Sequence, residues 1–303
     1  MILLTGGTGA IGRTIVQEWT SRKDEFVIIT RNKDNAKRVR NRNLIVEQGT
    51  ISDPSFLSSI FKKYRFETVV HCAWDGVTGS LRNSPNQFNN FIAVKNLLEL
   101  AGTNQIKNFI GLGSQAEYGV HNIRITEKLL PDPDSLYGVY KLSSGLLGRL
   151  LADQFGFRFA WLRLFAAYGP DDNKQFVIPY TISCLLENKA PALSSCEQWW
   201  DYLFLPDIPL IVKKIIDAPH HFNDIYNLSF GKATKLKDII FLIRTILRSE
   251  IDPNFGAVSH KSDLFFLEGD NEKLTGAFNV TGLTDINKGL SLTVDWYKNQ
   301  LAT

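Results

Sequence analysis

Tyr137 and Lys141, in "SLYGVYK", stand four residues apart, a spacing that puts both side chains on one face of a helix. A free tyrosine titrates near ~10, so a phenol that moves protons near neutrality needs a cation favouring its ionised form. Lys141 supplies that charge. Upstream, the apolar run "FIGLGS" ends at Ser114, and the loop "GVHNIRITEKLLPDPDSL" leads to the next helix. In a parallel sheet the carboxyl end of a strand lies beside the first turn of the following helix, so Ser114 reaches the same place and can hold a substrate oxygen. Ser114, Tyr137 and Lys141 are therefore the catalytic candidates. Spacing alone decides little, because Tyr140 lies in the same heptapeptide with no lysine four residues on.

A second pattern says what such groups would work on. "TGGTGAIG" sets Gly6, Gly9 and Gly12 between an apolar strand and an amphipathic helix. Glycines there let the backbone turn tightly and approach a pyrophosphate seated on the helix N-terminus, the arrangement of a dinucleotide site. The next strand, "FVIIT", ends at Thr30-Arg31, where an acid would read the ribose 2′-hydroxyl of NAD. A guanidinium matches a 2′-phosphate instead, so NADP (as NADPH) is the expected cofactor and NAD the alternative. Downstream, Lys37, Arg38, Arg40 and Arg42 read as a solvated basic loop. Lys141 would also reach the nicotinamide ribose, and Trp74, after "VVHCA", would face the cofactor.

The elements that must position these groups alternate along the N-terminal half. Apolar runs "MILLT", 26–30, 43–48, 67–73, 107–114 and 157–165 are separated by amphipathic stretches at 11–21, 86–102 and 137–155. Continuous apolar strands between helices imply a parallel sheet covered on both faces, a doubly wound α/β (Rossmann) fold. Residues 1–170, with 202–230 returning, are assigned to the dinucleotide-binding domain. Residues 171–201 and 231–303, interrupted by Pro179 and Pro191 and rich in aromatics, are assigned to a smaller substrate lobe over the sheet's carboxyl edge. The 303 residues are 44% hydrophobic and 21% charged with a net charge of +3, which gives no global field for nucleic acid or an acidic membrane. No apolar run approaches the ~20 residues of a spanning helix. Cys72, Cys184 and Cys196 form no CxxC and fit reduced thiols, so a cytoplasmic protein without metal is expected.

Read together, the motifs resemble the extended short-chain dehydrogenase/reductases, the NAD-dependent epimerase/dehydratase family of nucleotide-sugar enzymes, over nearly the whole length. The resemblance rests on "TGGTGAIG", "VVHCAW", "GSQAEYG" for the family's S-S/A-x-x-V-Y-G, "YGVYK", "LRLFAAYGP" for L-R-x-x-N-V-Y-G-P, "DYLFLPD" for R-D-F/Y-I/V-x-V-x-D, and "IYNLS". It implies Ser114 and Tyr137 as proton handlers with Lys141 on the ribose. The implied cofactor contacts are Gly6, Thr8, Gly9, Ala10, Ile11, Gly12, Thr30, Arg31, Thr50, Ile51, Ala73, Trp74, Tyr137, Lys141, Leu164 and Phe165. Those to substrate are Trp74, Gln115, Lys174, Phe176, Trp200 and Lys261. A homodimer through the helices at 86–102 and 137–155 is also implied.

Three departures narrow the activity. Family dehydratases carry Thr-Asp-Glu where this chain has Ser114-Gln115-Ala116, which removes the acid and base for dehydration. Trp200 replaces the arginine that holds the sugar nucleotide's phosphate, and Thr50 stands where an aspartate often reads adenine. Stretches 173–207 and 254–274 are similar to CDP-4-dehydro-6-deoxyglucose 4-reductases of O-antigen (lipopolysaccharide) sugar synthesis. That similarity implies NADPH-dependent reduction of a 4-keto-6-deoxy nucleotide sugar. A nucleotide-sugar 4-epimerase holding NAD is the alternative, and a non-catalytic NADP sensor a third reading. His71 reads as a packed core residue, Glu117 as part of a solvated turn, and Asp207 as a helix cap.

Overall fold

Short runs of β-branched and aliphatic residues with helical stretches between them are what a sheet buried on both faces demands. The computed structural model describes residues 1–19, 25–39, 43–259 and 265–301. The first part of the chain runs β1 (Ile2–Thr5), α1 (Ala10–Glu18), β2 (Phe26–Thr30), α2 (Lys33–Ala36), β3 (Leu44–Gln48), α3 (Pro54–Lys63) and β4 (Thr68–His71). It continues through α4 (Gln87–Thr103), β5 (Asn108–Ser114), β6 (Arg124–Ile125), α5 (Leu136–Phe155), β7 (Arg158–Leu164) and β8 (Ala166–Tyr168). Then come α6 (Val177–Leu186), β9 (Ala192–Leu193), β10 (Trp199–Trp200), β11 (Tyr202–Phe204), α7 (Asp207–Ile216) and β12 (Asn223–Leu228). The remainder is β13 (Thr234–Lys235), α8 (Leu236–Leu247), β14 (Asn254–Phe255), β15 (Phe266–Gly269), α9 (Glu272–Phe278) and α10 (Ile286–Leu301).

Seven strands pair in the order β12-β7-β5-β4-β1-β2-β3, every neighbour parallel. From β1 the chain winds outward to β3, then returns to β4 and winds the other way. The crevice outside the carboxyl ends of β1 and β4 is therefore the place where this topology binds ligands. Ile15 and Val16 of α1 and Ile208, Ile211 and Ile215 of α7 cover one face. Leu57 and Ile60 of α3 and Leu97 and Leu98 of α4 cover the other.

Local signals place the helix that carries the catalytic candidates. Ser135 caps α5 by accepting from the Gly138 amide at 3.3 Å, and Gly156 ends it in the left-handed region at φ +77°. Asn83 Oδ1 accepts from the Leu136 amide at 3.0 Å, which ties the 3-10 turn Gly79–Asn83 to the same helix start.

The later segments build a second core from Ile178 and Ile182 of α6, Ile239 and Ile243 of α8, and Leu290 and Val294 of α10. A small mixed sheet of β13, β10, β15 and β6 lies beside it. Within 231–303, which the sequence reading assigned whole to the smaller lobe, α9 instead packs on the large sheet. Its Phe278 meets Tyr226 at 5.1 Å and Phe222 at 5.3 Å, an aromatic group too large to leave in water. Asp207 does not cap α7: it is that helix's first residue, and its carboxylate accepts from the Thr284 amide at 2.7 Å and hydroxyl at 2.9 Å. Among the described residues no helix is long and apolar enough to cross a membrane, and no cluster of three His, Cys, Asp or Glu could hold a metal.

Candidate active site

β1 delivers the chain into a turn that closes on itself. Gly6 sits at φ +73°, the Gly9 amide donates to its carbonyl at 3.0 Å, and α1 starts one residue later. A Cβ at Gly12 would stand 2.3 Å from the Gly6 oxygen, so the helix can approach the turn this closely only without a side chain there. No side chain caps α1, and no acid stands in its first turn, which leaves its positive end open to an anion. Buried Arg13 fastens the loop by donating to the Thr8 carbonyl at 3.1 Å and the Asp171 carbonyl at 2.7 Å. Above the turn opens a cleft of about 260 Å³, bordered by Thr30, Arg31, Thr50, Ile51, Ala73 and Trp74. These residues fit a dinucleotide. Gly12→Ala should lower affinity for NAD at least about tenfold by forcing the turn apart, read by titrating protein fluorescence; unchanged affinity would refute the cradle.

Arg31 does not stand open to a 2′-phosphate. Its guanidinium forms a two-pronged pair with Asp75 at 2.8 and 3.0 Å, with 71% and 68% of the two side chains exposed. Asp75 is itself held from α4, where Asn90 Oδ1 accepts from its amide at 3.1 Å. Any phosphate reaching Arg31 must compete with this carboxylate.

Ser114, Tyr137 and Lys141 converge at the carboxyl edge of β5, all buried. Ser114 Oγ accepts from the Ala116 amide at 3.2 Å. Burial pushes Tyr137 above its ordinary range, against the lowering pull of Ser114 and Arg82. The cation on this ring is Arg82, 4.9 Å from its centroid, whereas the Lys141 ammonium is 5.9 Å away. Lys141 donates to the Leu112 carbonyl at 2.5 Å and lies 4.0 Å over the Trp74 ring. Burial lowers it to about 7, opposed by Glu117 and Cys72. Arg82, a residue with no motif to single it out, thus joins Lys141 as a second cation beside the Tyr137 ring.

Trp74 joins the two halves of the site. Its indole donates to Gln87 Oε1 at 2.7 Å and meets Tyr137 edge-on at 6.0 Å. Gln115 begins the 3-10 turn Gln115–Glu117 beside Ser114. Glu117, read from sequence as solvated, is 0% exposed and paired with Arg163 at 2.7 Å. Trp200 packs on Phe265 at 5.1 Å within apolar clusters. Phe165 at the end of β7 is buried against Tyr118, and Leu164 packs toward the α1 side of the sheet. Lys174 borders a different groove, between α1, α6 and α10, and Phe176 stands at the start of α6 without capping it, 40% exposed. Lys261, like Arg40 and Arg42, lies outside the described residues. His71 is buried, bonded to Thr5 Oγ1 at 2.8 Å and held neutral by a shift to about 3.

The sequence profile of the NAD dependent epimerase/dehydratase family matches residues 2–229. The chain belongs to this family. An uncharacterised UDP-glucose epimerase of Bacillus subtilis is 24% identical over 261 residues, 81% of each chain. The UDP-glucose 4-epimerase of Thermotoga maritima, solved with UDP-glucose, superposes with a TM-score of 0.90 at 22% identity over 99% of each chain. The dTDP-glucose 4,6-dehydratase of Bacillus anthracis, solved with NAD, gives 0.86 at 21% identity over 98% of this chain and 96% of that one. This member of the epimerase/dehydratase family thus has the fold and the enzyme class that its motifs led one to expect. The likeness extends to its epimerases and dehydratases; closeness to the 4-reductases in particular has no such support.

Proposed function

We propose that this family member interconverts nucleotide sugars by oxidation and re-reduction at one sugar carbon, the chemistry of a 4-epimerase using NAD. The observation that carries the reading is the convergence of Ser114, Tyr137 and Lys141 at the edge of a glycine-turn cleft. A nicotinamide dinucleotide, when bound, supplies the acceptor and donor of hydride. Ser114 orients the sugar hydroxyl, and Tyr137 exchanges its proton with that oxygen. Lys141 and Arg82 are the cations beside that exchange. Gln115 and Ala116 offer no carboxylate for dehydration, and the pairing of Arg31 with Asp75 favours NAD. The relatives named as UDP-glucose epimerases support the same reading.

A second reading, NADPH-dependent 4-reduction of a keto sugar, draws on one observation: burial keeps the Tyr137 phenol protonated, as a donor to an alkoxide must be. Incubation with UDP-glucose, and separately with 4-keto nucleotide sugars plus NADPH, distinguishes the two. Formation of a C4 epimer without net cofactor turnover supports the first; stoichiometric NADPH oxidation overturns it. Asp75→Asn, which frees Arg31, should raise the ratio of NADP to NAD affinity about tenfold, measured by fluorescence titration. An unchanged ratio removes Arg31 from cofactor selection. For the homodimer that the sequence resemblance implies, the exposed Phe88, Leu146 and Leu150 on α4 and α5 offer apolar surface.

A further inference from the structure

A carboxylate with no solvent exposure lies directly beneath the proton-handling residues. Glu117 Oε1 accepts from the Ser114 amide at 2.9 Å and from the Trp161 indole at 2.9 Å, and Oε2 accepts from Arg163 Nε at 2.7 Å. With Ser114 Oγ accepting from the turn's own amide, this is a reciprocal cap that locks the catalytic serine to the 3-10 turn. Gly113, on the strand between, has no space for a side chain: a Cβ would stand 2.5 Å from Glu117 Oε1 and 2.4 Å from Trp161 Nε1. The motif that "GSQAEYG" resembles carries valine at this place. A buried acid in a slot that accommodates valine is destabilising unless paired, and a pair alone seldom exceeds an apolar filling.

We propose that Glu117 is a positioning residue of the catalytic centre, the buried carboxylate that locks Ser114 to its turn and, across Trp161, partly offsets the burial of the Lys141 ammonium. This rests on the proposed roles of the three catalytic residues. Trp161 connects the two charges, since its ring centroid is 5.6 Å from the Lys141 ammonium and its N–H is bonded to Glu117. On β4, His71 is neutral at about 3 and Cys72 is a neutral thiol pushed up to about 12. On α5, Tyr137 is raised, and Arg82 lies 4.9 Å from the centroid of its ring. On β7, Arg163 donates through Nε to Glu117 and stacks on Tyr118 at 4.3 Å. Glu117 is the foremost influence raising Lys141 against its burial.

The test separates this role from mere pairing with Arg163. Glu117→Gln keeps an oxygen for the Ser114 amide but removes the charge, and Glu117→Gln with Arg163→Met removes both charges. Turnover of the holoenzyme is followed from pH 5.5 to 9.5, with thermal midpoints measured alongside. In both variants the limb where activity falls on the alkaline side should move down by about one pH unit or more, because Lys141 gives up its proton earlier. The double variant should recover the midpoint lost by the single one and keep the displaced limb. A limb at the wild-type position in either variant overturns the proposal, as does recovery of both limb and midpoint in the double variant. Should the triad reading itself be wrong, Tyr137→Phe would remain active, a result independent of where the limb lies.

Discussion

Tyr137→Phe is expected to cut turnover by about 10²–10⁴-fold while leaving dinucleotide affinity nearly unchanged. The ring is buried, meets Trp74 edge-on at 6.0 Å, and lies under Arg82 at 4.9 Å. Phenylalanine preserves all of that packing. What disappears is the phenol's hydroxyl, so the fold changes little while the reaction loses its proton carrier. Affinity for the dinucleotide should persist because the glycine turn lies on another element. The decisive measurements are kcat on the sugar nucleotide and a binding titration on the same preparation. Activity within a few-fold of wild type would remove Tyr137 from the chemistry.

Lys141→Met is expected to give a protein that is inactive and more stable than its parent. Lys141 is 3% exposed, with a single hydrogen bond to Leu112 O and no carboxylate within ion-pair reach among the described residues. Burial lowers it from its ordinary 10.5 to about 7. Between these two values the unfolded chain binds a proton that the folded chain gives up, so this residue makes stability rise with pH across that window. Below about 7 its penalty is complete. Methionine fills a similar volume without charge, so the variant should gain about 1–4 kcal/mol near neutrality, with the gap closing as pH approaches 10.5. Denaturant midpoints at pH 6.5 and 9.5 measure both size and sign. A variant less stable than the parent at pH 6.5 would show that the ammonium is well compensated where it lies.

Much of this architecture was legible in local sequence. The strands of the large sheet from Ile2 to Leu164 are built on short apolar runs, and the turn at Gly6 lies between a strand and a helix, so type and order followed from short-range pattern. What eluded that reading was pairing across distance. Glu117 looks solvated beside Tyr118 and Gly119, because its partner Arg163 is 46 residues away in sequence and arrives only when β5 and β7 pair. Arg31 looked free because Asp75 is 44 residues on, brought near by β1 lying between β2 and β4. Arg82 belongs to a turn without periodicity, held beside Tyr137 by bonds from Leu136 to Asn83 and from Gln87 to the Leu81 carbonyl. The place of α9 could not be read from its seven residues, since an amphipathic stretch does not say which apolar surface it will meet.

That last placement bears on the order in which the molecule can be made. β12 enters the large sheet beside β7 across an interval of about sixty residues, and α9 then seals its outer face with Leu274 and Phe278 some fifty residues later. A nascent chain therefore carries an unfinished sheet edge and uncovered aromatic side chains, Phe222 and Tyr226, until the end of α9 has left the ribosome. The large sheet is not a module that can be cut away at residue 230. Its completion waits on the chain's last quarter, and a truncated product would present to the cell the sticky surface that quality control recognises.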